Sequence, residues 1–95
     1  MNDLETKVFK VVGAIIDPET HLTFSEMKMI RRVEEIEPGI IHIEFIPSSP
    51  FCPIAIKLAQ DIKNKLLSVE GVTTGKVFCR GHVMEQQINE MINKQ

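Results

Sequence analysis

Cys52 is the side chain with the clearest capacity for chemistry: it lies in the run PSSPFCP over residues 47–53, directly before Pro53 and an apolar repeat of helical spacing. Pro53 suits the first position of a helix, where its missing N–H is not needed and its fixed φ is already helical. A thiol just ahead of it would meet unpaired backbone N–H groups and the positive end of the helix dipole, which favour the thiolate, the form that attacks electrophiles and ligates metals. The alternative reading makes Cys52 a small buried apolar residue. Ser48 and Ser49 can hydrogen-bond a bound sulfide or carboxylate, or cap the helix that follows.

Other reactive types are scattered. Asp17 and Glu19, in DPETHLTFSE over residues 17–26, can supply hard oxygen ligands or accept protons, and the same run reads equally as a helix stop followed by a capping loop. Cys79 and His82 form a C-x-x-H pair. A single such pair is a weak metal signal without a second pair at suitable spacing; His82 can instead cap a helix and Cys79 can end a buried strand. His21 reads as an exposed loop residue and His42 as a surface strand residue.

The elements that must position these groups follow from apolar spacing. Leu4, Val8, Val11, Val12, Ile15 and Ile16 predict a helix over residues 3–16, ending at Asp17-Pro18. Strands over 28–36 and 40–46 flank the turn signal Glu37-Pro38-Gly39 and predict a hairpin, with Ile41, Ile43 and Phe45 inward. Ile54, Ala55, Leu58, Ala59, Ile62, Leu66 and Val69 predict a second helix from Pro53, stopped by Gly71. A third strand over 72–79 turns at Gly81 into a helix from 83 to 94. Met84, Ile88, Met91 and Ile92 share its apolar stripe, which suits a core stripe, a dimer seam or a docking face for a partner helix better than a cofactor box.

The order α-β-β-α-β-α predicts an α/β (α+β) fold with a small three-stranded mixed sheet: a hairpin joined to a parallel β-α-β crossover, packed with helices. A crossover returns strand 3 parallel to strand 2. Cys79 then arrives at the same end, and Asp17, Glu19, Ser48, Ser49, Cys52 and His82 should share one rim, at the carboxyl ends of the parallel strands where α/β domains commonly bind ligands.

The 95 residues fit a single domain, 1–95, and 43% apolar with 25% charged residues is an ordinary globular balance. A net charge of −2 with scattered basic residues argues against a nucleic-acid partner. MNDLETKVFK lacks the apolar core of a signal peptide, and no stretch approaches the roughly 20 apolar residues that span a bilayer, so a cytoplasmic protein with reduced thiols and no membrane partner is expected.

Three segments together, DPETHLTFSE, FIPSSPFCPIA and CRGHVMEQQINEMINKQ, resemble the iron–sulfur cluster assembly family that includes SufT-like and PaaD-like proteins. Within it they are most similar to the eukaryotic-type component that targets clusters to cytosolic apoproteins. The resemblance spans roughly residues 8–95. It differs from many bacterial members in the Met-Lys-Met-Ile start of strand 1 and in serines where threonines are usual. It implies an accessory, non-enzymatic role in metal–sulfur cluster biosynthesis, with the family's reactive cysteine falling on Cys52, its acidic pair on Asp17 and Glu19, and its hydroxyl positions on Ser48 and Ser49. Cys79 lies outside the shared pattern.

A cluster takes four thiolate-type ligands and the chain has two cysteines, so a cluster or iron would be held transiently and shared with a second chain, with no tightly bound cofactor. Expected partners are assembly factors and client apoproteins, or a second copy in a homodimer. The competing readings are an adaptor that scaffolds assembly factors without touching metal, and an enzyme using Cys52 as nucleophile with His82 as base and Asp17 orienting it.

Overall fold

The computed structural model describes residues 2–18, 20–47 and 50–93. Six elements follow in the expected order: α1 (Asp3–Gly13), β1 (Ile30–Glu37), β2 (Ile40–Phe45), α2 (Ala55–Ser68), β3 (Thr74–Cys79) and α3 (Glu85–Asn93). The sheet runs β1-β2-β3, antiparallel between β1 and β2 and parallel between β2 and β3. This is a small α+β fold with a mixed three-stranded sheet.

α1 starts with a reciprocal capping box: Glu5 N–H donates to the Asn2 side chain at 2.8 Å, and Asn2 N–H donates to Glu5 Oε1 at 2.9 Å. The second oxygen, Glu5 Oε2, accepts Glu35 N–H at 2.7 Å and so fastens the helix to β1. Val8 and Val12 are buried in the core. The helix stops at Gly13, short of Ile16, because the returning chain takes its carbonyls: Ser25 N–H bonds Gly13 O at 2.9 Å and Phe24 N–H bonds Ile15 O at 2.8 Å. Ile16 instead pairs with Thr23 in an isolated antiparallel bridge.

The β1–β2 hairpin turns at Pro38-Gly39, where Gly39 has φ +82°. A Cβ at that position would lie 2.7 Å from Thr73 Oγ1, so both the backbone angle and the space require glycine. Gly39 O accepts Thr73 N–H at 2.8 Å, which starts β3 beside β2. Ile41, Ile43 and Phe45 are fully buried on one face, each worth about 1.5–3 kcal/mol of apolar burial. His42 and Glu44 are half-buried on the other.

α2 buries Ala55, Leu58, Ala59, Ile62 and Leu66, the face its spacing predicts. It begins at Ala55, two residues after Pro53, with Ile54 as N-cap. Pro53 serves as the second residue of a turn closed by Ala55 N–H on Cys52 O at 3.3 Å, a position its fixed φ also suits.

α3 lies along the outer edge of β3. Asn89 and Asn93, one turn apart, fill that edge as a strand would. Cys79 N–H donates to Asn89 Oδ1 at 2.6 Å, and Asn89 Nδ2 donates back to Cys79 O at 3.3 Å. Asn93 does the same for Val77, at 3.0 Å in both directions. The buried Lys63 ammonium donates to Ile92 O near the end of α3. Ile88 and Ile92 are buried, whereas Met84 and Met91 are about half exposed, so the predicted four-residue stripe divides into a core half and a surface half. Among the described residues no helix is long and apolar enough to cross a membrane.

The bond from Glu35 N–H, then that from Asn2, holds the Glu5 carboxyl below its usual range. A depressed folded-state value means that this group's stabilisation is present above the unfolded carboxylate range and is lost as pH falls through the folded one. Urea unfolding of Glu5→Gln should therefore show a smaller loss of stability than wild type between about pH 5 and pH 3. Parallel curves for the two proteins would contradict the Glu5–Glu35 tie.

Candidate functional site

β2 and β3 end together, Phe45 opposite Cys79, and Arg80 N–H continues the ladder onto Phe45 O at 2.9 Å. The segments leaving the two strands therefore emerge side by side. Gly81, at φ +73°, redirects the second segment across the first, and Val83 N–H donates to Pro50 O at 3.0 Å.

His82 makes the second link between them. Its Nδ1 accepts Met84 N–H at 2.9 Å, and its Nε2 lies 3.0 Å from Cys52 O. A carbonyl can only accept and a backbone N–H can only donate, so both contacts are satisfied by the neutral tautomer protonated on Nε2. The ring caps the turn that opens α3 and pins the backbone of Cys52, and both nitrogens are committed to the main chain.

Cys52 stands two residues ahead of the Ile54 N-cap, whereas a Pro53 start would make it the N-cap itself, and is 5% exposed. It lines a cleft of about 210 Å³ between this segment and α3, together with Phe51, Ile56, His82, Met84 and Met91. The walls are largely apolar, and Phe51, Val83, Met84 and Met91 are left exposed around it.

Cys79 is different. It ends β3 in the core, is fully buried, and does not line the cleft. Burial, reinforced by the charge of Glu85 and by Cys52 and only partly offset by Arg80, pushes its thiol up to about 11, so it is a neutral thiol at physiological pH.

Asp17 is 1% exposed in the loop after α1, where its N–H donates to Leu22 O at 2.8 Å and its carbonyl accepts His21 N–H at 2.9 Å. That loop joins the same end of the sheet through Met29 N–H on Phe24 O at 3.0 Å and Ile46 N–H on Met29 O at 2.9 Å. Asp17 is not among the described residues lining the cleft. Glu19, Ser48 and Ser49 lie outside the described residues. His21 is an exposed loop residue, and His42 packs edge-on against Phe78 with ring centroids 5.4 Å apart. Among the described residues no group of three or more His, Cys, Asp or Glu side chains could hold a metal ion.

Sequence spacing did not single out Asn89 and Asn93, which position α3. Their signal is the i, i+4 pair of amides on a helix that follows an edge strand.

Two outcomes follow from this geometry. His82→Ala leaves Cys52 O and Met84 N–H without their partner and should lower stability by about 1–3 kcal/mol in urea unfolding, whereas a loss under about 0.5 kcal/mol would contradict the latch. Iodoacetamide should place one label per native chain, mapped by peptide mass to Cys52, and reach Cys79 only on unfolding. Equal labelling of both thiols would contradict the difference in their surroundings.

A family profile described as iron–sulfur cluster assembly protein matches residues 5–77. An uncharacterized protein of Methanocaldococcus jannaschii is 33% identical over 87 residues, covering 92% of each chain. The cytosolic iron–sulfur assembly component 2B of Dictyostelium discoideum is 28% identical over 100 residues, covering 94% of this chain and 58% of that one. This chain thus spans little more than half the length of the Dictyostelium protein. A crystal structure of a domain of unknown function from Bacillus anthracis has the same fold, with a TM-score of 0.76 at 23% identity, covering 94% of this chain and 87% of that one.

Proposed function

Because the chain belongs to the iron–sulfur cluster assembly protein family, we propose that it is a cytoplasmic accessory factor in the assembly of clusters or their transfer to client apoproteins, with Cys52 as a transient ligand shared with a second chain. The observation that carries this reading is the contrast between the two thiols. Cys52 lines an open cleft, whereas Cys79 is sealed in the core as a neutral thiol. One chain thus offers one thiol to a cargo that takes four thiolate-type ligands. The remaining ligands come from a second copy, an assembly factor, the client or a free thiol. A site so short of ligands favours handing on over storage.

The commitment of both His82 nitrogens favours this reading over a Cys52 nucleophile with His82 as its base, since the ring has no free nitrogen to take the thiol proton. The exposed apolar side chains around the cleft also suit an adaptor that only gathers assembly factors. This reading keeps for Asp17, Glu19, Ser48 and Ser49 the supporting role that the family resemblance implies. In this reading Cys79 and His82 support the fold and the cysteine segment and do not ligate.

Anaerobic reconstitution with iron and sulfide tests the role of Cys52. Wild type should acquire iron, sulfide and visible absorbance that Cys52→Ser lacks. Equal iron and sulfide in the two proteins would overturn the ligand role, and client maturation that survives Cys52→Ser would favour the adaptor.

A further inference from the structure

The exposed half of the α3 stripe has no part in the cluster reading. Met84 and Met91 are seven residues apart, so they lie on one face of the helix region, and they remain 49% and 53% exposed while Ile88 between them is buried. Both line the cleft that Cys52 lines. An unbranched thioether side chain with three rotatable bonds is able to turn across a cleft of about 210 Å³. The Cys52 sulfur takes part in no hydrogen bond among the described residues. Among the described residues no carboxylate lines the cleft, and the His82 nitrogens are already bonded to the main chain.

The sulfur donors are therefore one thiol and two thioethers, soft ligands that suit copper(I)-type cations and not hard ones such as magnesium, with the harder Gln87 amide beside them. Charge narrows the choice further. One thiolate with a monovalent cation makes a neutral unit, which an apolar cleft accepts, whereas a divalent cation would leave a net charge to be desolvated.

We propose that Cys52, Met84 and Met91 form a binding site for one monovalent soft cation of the copper(I) or silver(I) class. Binding breaks the Cys52 S–H bond and forms a sulfur–metal bond, the proton passes to solvent, and no electron is transferred. The two thioethers complete a three-coordinate sulfur site. It uses the same thiol as the proposed cluster cargo, so the ion and the cargo compete for Cys52, but the site stands independently of the cluster reading.

Silver(I), which avoids copper redox chemistry, is the probe. The chain labelled with ¹³C-methyl methionine reports on five methyl groups, of which Met1, Met27 and Met29 are internal controls. One silver ion per chain should shift the Met84 and Met91 methyl resonances and leave the controls in place. The double variant Met84→Leu, Met91→Leu conserves volume at exposed positions and should keep the wild-type circular dichroism while binding silver at least about tenfold more weakly. Cys52→Ser should bind none at this site. Unmoved Met84 and Met91 methyls, or equal affinity in the double variant, would overturn the proposal. Cluster uptake by wild type without a silver-induced methyl shift would also overturn it, while leaving the cluster reading intact. Silver binding with those shifts and no cluster uptake would support it and remove the cluster reading instead.

Discussion

Parallel pairing of β2 with β3 obliges the chain to travel the length of the sheet between them, and α2 makes that journey. Its buried face of Leu58, Ala59, Ile62 and Leu66 packs it over the sheet. Gly75 allows the close approach: a Cβ there would lie 2.4 Å from Leu66 Cδ2. Because the crossover returns the chain to the end where β2 began, β3 finishes beside the end of β2 and the segments leaving the two strands emerge together, as ligand-binding segments commonly do in α/β sheets. The cleft beside Cys52 exists because of that placement.

What holds the cleft in shape is a small set of polar bonds around α3. Nine residues are too few to be a stable helix alone. Two buried isoleucines anchor this one, two asparagines bond it to the β3 edge, and a lysine bonds one of its last carbonyls. His82 then ties its first turn to the Cys52 backbone. No buried side-chain nitrogen or oxygen among the described residues lacks a partner. The asparagines also close the β3 edge to strand addition, and Glu5 occupies one N–H of β1 at the opposite side.

Much of this was legible in the sequence because it depends on period and chain order. Apolar spacing predicted all six elements, Pro38-Gly39 marked the hairpin, and the crossover rule alone brought the Cys52 and His82 segments to one end. The remainder depends on tertiary bonds that spacing does not encode. The apolar period of α1 runs to Ile16, but Ser25 and Phe24 claim its last carbonyls and end the helix at Gly13. Pro53 suits a first helical turn and a β-turn equally, and the bond from Ala55 to Cys52 selects the turn. The α3 stripe reads as one apolar face, yet the asparagine bonds rotate Ile88 and Ile92 inward and leave Met84 and Met91 at the cleft.

The two cysteines look alike in sequence and differ in the fold. The carboxyl end of β3 carries Cys79 into the core, while the turn at Pro53 leaves Cys52 on a cleft wall. On the proposed reading, one available thiol per chain makes the cluster an object shared with a second chain. Native mass spectrometry of the wild-type protein, reconstituted anaerobically without small-molecule thiols, alone and mixed with a cluster-free client, tests that directly. Cluster mass should appear only on species containing two chains, either two copies or one copy with the client. A cluster carried by a single chain would contradict the shared-ligand account.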